Sequence, residues 1–352
     1  MTMVLRLMIL VCFSIPQAFS AEIAQPLTTR DGITLSGVLT SPAEAPAAIA
    51  LLLPGSGNVG LDGDVSSPFV GAGYHGARAN LSEQLAAVLA ANGVASYRYA
   101  KRGFEAPAEL PHQTFDYLLR DAEDALRLLR ATAPEARIIL VGFSEGALLA
   151  TYLAARARVE GLFLLGLPSR PIDETFDYQF VQWPVELLRR RLDLNHDGLI
   201  DAVEQALATT LPIVGAPLAA ADLDHDGVIS IAGELAPFHQ GAYLQLRGLL
   251  ADPSLAHWYQ AMVVLPAFSA IAPRVTAPVY LYHGAQDPQV NALWALSDSR
   301  YFPKLRSVRL FEDAGHAFAP LDGVIGEVKT SGPLSEALLS TLTSDIRASL
   351  FP

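Results

Sequence analysis

Three observations predict an α/β fold with a mostly parallel central sheet and a helical cap inserted late in the chain. Short apolar runs alternate with helix-patterned stretches over the first half and the last part of the 352 residues. Such alternation builds βαβ units around a parallel sheet. The rhythm stops between Pro168 and Ala277, where helical and turn-rich segments succeed one another without a sheet-like strand, and resumes at Pro278. A serine flanked by glycines also falls where one apolar run passes directly into a helical stretch. Hydrophobic residues are 51% of the chain and charged residues 17%. That is enough apolar material for a sizeable core, and it excludes a disordered chain.

Residues 1–20 read as a secretory leader rather than as part of the fold. Arg6 is the only charge, a largely apolar run follows from Leu7 to Ile15, and Ala18-Phe19-Ser20 puts small residues at both positions a signal peptidase requires. Cleavage is expected after Ser20, with a secreted or periplasmic mature chain. The apolar run is too short for a membrane span of about 20 residues. The only cysteine, Cys12, lies inside this segment. The mature chain would then have no disulfide, thiol nucleophile or zinc–thiolate site.

Beyond the leader, residues 21–167 and 277–352 divide into two parts of one core, with 168–276 inserted between them as a cap. Gly32–Leu39 and Ala48–Leu53 are expected to open the sheet as a hairpin around Ser41–Ala47. Val94–Tyr99, Arg137–Val141, Gly161–Leu167, Pro278–Tyr282 and Ser307–Phe311 read as buried strands, and Asn80–Ala91, Phe115–Ala131 and Gly146–Ala155 as helices. The longest apolar stretch of the insertion, Ala206–Ala221, is broken by Pro212, Gly215 and Pro217, so no stable membrane span is expected. The net charge of −12 argues against a nucleic-acid partner.

Gly142-Phe143-Ser144-Glu145-Gly146 matches G-x-S-x-G between a buried strand and a helix. In that setting the serine sits on a sharp turn that exposes its hydroxyl above the sheet. A serine hydroxyl needs a base, and the base needs an orienting acid. In the chain order Ser, acid, His, the loops after two late strands offer Asp287 and His316, with Asp313 as the competing acid. Both loops fall at the carboxyl end of the sheet, where Ser144 also lies. An oxyanion hole is expected from the backbone N–H groups of Glu145 and Ser56, the latter in Pro54-Gly55-Ser56-Gly57 after an early strand. The direction of the Glu145 side chain does not follow from the sequence.

These residues, with Tyr99-Ala100-Lys101-Arg102-Gly103, His283–Asp287 with Val290, Gly315-His316 and the Pro168–Glu174 segment, resemble the α/β-hydrolase superfamily, in particular its dienelactone-hydrolase-like and secreted bacterial serine-esterase members. Pro54 departs from the histidine that many such proteins carry before the oxyanion glycine. The resemblance implies an α/β-hydrolase fold and a serine carboxylesterase acting on a small-molecule ester, with no organic cofactor. A peptidase or amidase using the same triad is the alternative enzyme. An alternative of another class is a calcium-dependent interaction protein that docks a protein partner and carries a vestigial triad.

The insertion holds two acidic loops. In the first, Asp193, Asn195, Asp197, Leu199 (by its carbonyl), Asp201 and Glu204 occupy positions one, three, five, seven, nine and twelve of an EF-hand-type loop, with Gly198 at six. In the second, Asp222, Asp224, Asp226, Val228 and Ser230 follow the same order, but Gly233 stands at position twelve and Glu234 one place later. Glu234 reaches the loop only if the chain bulges. With Ile200 and Ile229 at matching positions, the pair resembles an EF-hand or dockerin-like unit whose loops couple through those residues. One or two structural Ca²⁺ ions are expected, stabilising the cap and offsetting the mutual repulsion of these carboxylates.

Overall fold

The computed structural model describes residues 21–64, 80–207, 218–252, 257–319 and 333–350. The expected leader, including Cys12, lies outside the described residues.

The strands are β1 (Ala21–Ala24), β2 (Leu27–Thr28), β3 (Thr34–Leu35), β4 (Gly37–Ser41), β5 (Ile49–Leu53), β6 (Ala95–Tyr99), β7 (Ile138–Phe143), β8 (Gly161–Leu165), β9 (Leu199–Ile200), β10 (Ile229–Ser230), β11 (Val279–Gly284) and β12 (Leu305–Phe311). The α-helices are α1 (Leu81–Ala91), α2 (Phe115–Thr132), α3 (Glu145–Ala154), α4 (Ile172–Asp177), α5 (Trp183–Leu192), α6 (Ala202–Leu207), α7 (Ala236–Leu250), α8 (His257–Val263), α9 (Phe268–Ile271), α10 (Ala292–Asp298) and α11 (Glu336–Leu350).

Eight strands form one sheet in the order β1-β4-β6-β5-β7-β8-β11-β12. Every neighbour from β6 through β12 is parallel, and β4 and β1 extend the β6 edge antiparallel. Helices cover both faces, which is why β5, β6 and β8 are buried along their whole length and β5 and β8 read as unbroken apolar runs. One face packs on α2 and α3, the other on α1 and α11. The charged exception is Arg98 in β6. Its guanidinium donates to Thr40 Oγ1 at 2.7 Å and pairs with Glu22 Oε1 at 2.9 Å, fastening β4 and β1 to the sheet.

The expected opening hairpin does not form. β4 pairs with β6, and β5 lies on the far side of β6. Both edges of β5 are occupied by parallel neighbours, β6 and β7. A strand buried on both faces takes the middle of the sheet and leaves the half-exposed β4 at its margin.

Among the described residues of the insertion, the strands are β9 and β10 alone. They pair with each other, Ile229 opposite Ile200, and neither joins the main sheet. Leu188, Leu192, Ile200, Ala221, Ile229, Ile231 and Leu235 form a separate small core beneath this pair. No helix among the described residues is long and apolar enough to cross a membrane.

Candidate active site

Ser144 lies between β7 and α3, as the cap of α3, with φ 53° and ψ −122°, a conformation rarely tolerated by a residue with a side chain. The flanking glycines permit the turn. A Cβ on Gly142 would overlap the Gly146 carbonyl, and one on Gly146 would overlap the Leu53 carbonyl. The Ser144 N–H donates to the Leu165 carbonyl at 2.8 Å, tying the elbow to β8.

Next to that anchor, Gly166 has φ 61°, and a Cβ there would meet His316 Cε1 at 3.1 Å. The missing side chain makes room for the imidazole. His316 also packs on Phe143, the residue before the serine, with ring centroids 4.9 Å apart. Its Nδ1 donates to Asp287 Oδ2 at 2.6 Å. The other oxygen of Asp287 accepts from the N–H groups of Gln289 at 2.7 Å and Val290 at 2.9 Å. Ser144, His316 and Asp287 are 7%, 6% and 1% exposed. Burial alone would raise the Asp287 pKa, but the charge and hydrogen bond of His316, with His283 and the Val290 N–H, hold it below the ordinary carboxylate value. The competing acid Asp313 is exposed to solvent.

The Pro54–Gly57 loop lies against the elbow. A Cβ on Gly55 would sit 3.3 Å from Ser144 Cβ, and Ser56 and Gly57 are exposed beside it. The Glu145 side chain faces neither pocket nor solvent. It is buried, paired to Lys101 Nζ at 2.6 Å, and accepts a hydrogen bond from the Trp258 indole of α8.

Two partners of this corner, Tyr178 and Gln179, were not singled out from the sequence. Tyr178, in the π-helical turn after α4, donates its hydroxyl to the Asp287 carbonyl at 2.9 Å, and Gln179 donates to the Gln289 carbonyl at 2.9 Å. Both come from the segment between β8 and β11, which therefore grips the acid loop directly. His283 is fully buried with Nδ1 3.5 Å from Asp287 Oδ2, and burial lowers its pKa. Lys101 stood in a Tyr-Ala-Lys-Arg-Gly stretch after β6, and that placement was the available signal.

The acidic loops have a repeated internal geometry. Glu204 accepts from the N–H groups of Leu194 at 2.8 Å and Asp201 at 3.1 Å. Glu234 accepts from Leu223 at 2.8 Å, Asp224 at 3.3 Å and Ser230 at 2.7 Å. Leu194 and Leu223, and Asp201 and Ser230, stand at the same loop positions. The extra residue is absorbed by a π-helical turn over Ile231–Leu235, so Glu234 reaches the loop despite its late place. His196 and His225 take positive φ of 61° and 62°, and Gly198 and Gly227 of 83° and 87°. The Asp222, Asp224 and Asp226 carboxylates each offer an oxygen within 4.8 Å of the others. Asp193 is 3% exposed, and its Oδ1 has no hydrogen-bond partner among the described residues. The equivalent Asp222 Oδ1 likewise has none. A buried carboxylate oxygen without a donor is costly unless a cation meets it, so these residues fit a hard divalent ion.

Fold and corner together define a member of the α/β-hydrolases. The α/β hydrolase fold family matches residues 94–321, more than half of the chain, and the chain belongs to that family. Esterase EstD of Thermotoga maritima is 25% identical over 147 residues, which are 41% of this chain and 33% of that protein. The chain thus spans about a third of that relative's length. The solved esterase Pf2001 of Pyrococcus furiosus superposes with a TM-score of 0.53 at 13% identity, over 94% of this chain and 91% of that one. Est1E of Butyrivibrio proteoclasticus gives 0.51 at 14% identity, over 94% of this chain and 99% of that one. At such identities the two structures bear on the fold.

Proposed function

We propose that the chain is a serine carboxylesterase. The observation that carries the reading is the Asp287–His316 pair, bonded at 2.6 Å, beside a serine held in the left-handed region at a strand-to-helix turn. Ser144 attacks the acyl carbonyl while His316 takes its proton. Asp287, held ionised, fixes the Nδ1–H tautomer and so leaves Nε2 as the basic atom. The N–H groups of Ser56 and Glu145 receive the oxyanion. His316 returns the proton to the leaving alcohol, and water releases the acyl group by the same steps in reverse roles.

Residues 168–276 act as the cap, and its loops hold one or two Ca²⁺ ions through Asp193, Asn195, Asp197, Asp201 and Glu204 and through Asp222, Asp224, Asp226 and Glu234. The ion supplies positive charge that joins the loops and takes no part in the chemistry. Residues 1–20 serve as an export leader removed after Ser20, and N-terminal sequencing of the exported protein reads that cut.

The test is a fluorophosphonate label with turnover of p-nitrophenyl acyl esters and aminoacyl arylamides. Labelling of wild type but not of Ser144→Ala, with esters turned over faster than amides, is expected. Faster amide turnover would make the protein an amidase. An unlabelled wild type that hydrolyses neither substrate would overturn the enzyme reading and favour a calcium-dependent binding module.

A further inference from the structure

Beside the elbow lies a buried charge that the proposed mechanism does not use. Lys101 is 3% exposed and Glu145 2% exposed. The Lys101 ammonium makes three contacts: Glu145 Oε2 at 2.6 Å, the Gly55 carbonyl at 2.6 Å and the Gly57 carbonyl at 3.4 Å. A salt bridge would explain one of them. The other two reach the backbone of the very loop whose N–H is the expected oxyanion donor.

The consequence follows from peptide geometry. In a planar trans peptide the C=O and N–H point in opposite directions, and the described chain has no cis bonds. The Gly55 carbonyl and the Ser56 N–H belong to one peptide unit. With the carbonyl turned inward onto the buried ammonium, the N–H of the same unit turns outward toward the exposed side, where Ser56 and Gly57 lie. A glycine before and after Ser56 would otherwise let that unit rotate freely. Gly57 itself has φ 92°.

Glu145 keeps the ammonium in place. Its second oxygen is taken by the Trp258 indole N–H of the cap helix α8, so the carboxylate has one direction to offer the lysine. Glu145 is also the residue after Ser144, so one buried pair joins both expected oxyanion donors: the Glu145 backbone at one end and the Ser56 peptide at the other.

We propose that Lys101 is a positioning residue that sets the direction of the Ser56 N–H by holding the Gly55 carbonyl, with Glu145 and the cap's Trp258 fixing the lysine. The proposal rests on the esterase reading of the site. It needs no contact between Lys101 and substrate. Such a residue affects the oxyanion, which forms after the substrate binds, so its loss lowers kcat and leaves KM almost unchanged.

The test compares wild type, Lys101→Met and Lys101→Met/Glu145→Gln on a p-nitrophenyl ester, with melting curves for each and inhibition by a trifluoromethyl ketone, whose serine adduct carries an oxyanion. Expected is a loss of about a hundredfold in kcat for both variants, KM within about twofold, and ketone affinity falling in step with kcat/KM. The double variant separates this role from a structural one, because removing the lysine alone strands a buried carboxylate. Recovery of the wild-type kcat in the double variant would assign the loss to the stranded charge and overturn the proposal. So would an unaltered kcat in Lys101→Met. If the methionine variants do not fold, Lys101→Gln stops one bond short of the Gly55 carbonyl while keeping a donor, and a folded Lys101→Gln with wild-type kcat also overturns it. A wild type that hydrolyses no ester defeats the site reading and this one together, and that outcome is visible before any variant is made.

Discussion

Two groups of carboxylates in this molecule are buried under opposite conditions. At the sheet edge, Asp287 has both oxygens occupied by the protein: two backbone N–H groups hold one and the His316 ring holds the other. In the insertion, Asp193 and Asp222 each keep one oxygen without a donor among the described residues, and Asp222 also faces the Asp224 and Asp226 carboxylates of its loop. A buried carboxylate whose oxygens are both held by donors of the protein orients and charge-balances its neighbour. An unsatisfied one surrounded by like charge is stable only with a cation supplied from solution. On the proposed reading, the same side chain serves a catalytic frame in one place and a metal cradle in the other.

The sharpest way to break the contrast is to neutralise one acid in each region. Asp287→Asn keeps the shape but offers an N–H where His316 needs an acceptor. We expect kcat to fall by about 10⁴-fold, with melting changed far less. A near-normal rate in steady-state assays would remove Asp287 from the mechanism.

Asp193→Asn should leave turnover of a small ester nearly intact and act on stability, with a sign that depends on calcium. With Ca²⁺ present, the variant should melt lower than wild type. In EDTA it should melt at the same temperature or higher, because it relieves an unpaired buried charge. Wild type itself should lose about 3 kcal/mol on chelation for each site filled at roughly a hundred times its Kd. Melting curves that do not respond to EDTA would exclude the metal from both loops.

How far these regions can be read from the sequence differs for a physical reason. The elbow and the acidic loops are local: G-x-S-x-G and Asp-x-Asn-x-Asp-Gly put their chemistry within a few residues, so Ser144 and Asp193–Glu204 were legible directly. Asp287 and His316 were legible because the order of strands constrains which loops share an edge. The place of β4 was not, since the pairing partner of a short half-buried strand is chosen by distant residues such as Arg98. Nor were Lys101, Trp258 and Tyr178. Each acts through hydrogen bonds across 44 to 113 residues of chain, and no local pattern encodes such bonds. The late Glu234 was ambiguous because a π-turn leaves no sequence mark apart from the extra residue it absorbs.

Acid separates the regions again. His283 and His239 are buried, and burial holds both below the ordinary histidine value. The folded state therefore binds fewer protons than the unfolded chain below pH about 6.5, so stability from these residues is complete above that pH and is lost as pH falls through it. Asp287, whose pKa is depressed, loses its contribution only at still lower pH, as the folded form itself protonates. Calcium should leave the histidine limb unchanged and shift the carboxylate limb, because the ion competes with protons for the loop acids. Denaturant midpoints from pH 7 to 3, with and without Ca²⁺, read both limbs, and His283→Asn should flatten the first limb by at most about one proton. A first limb that moves with calcium would show that the loops, not the buried histidines, govern it.

The smallest effect concerns the cap's hold on the acid loop. Tyr178→Phe removes one hydroxyl that donates to the Asp287 carbonyl at 2.9 Å. The phenyl ring keeps its packing against Trp183 and Trp294, so the loss isolates a single buried bond worth about 1 kcal/mol. If the cap only shields the site, that loss appears in melting alone. If the cap also fixes the acid loop, the Asp287 carboxylate drifts from the His316 ring, and kcat falls severalfold while KM is held. Because Tyr178 belongs to the same insertion as the acidic loops, the second outcome carries a corollary: EDTA should lower kcat in wild type and lower it further in Tyr178→Phe. A kcat indifferent to both changes would make the two regions independent, joined by the chain and by nothing else.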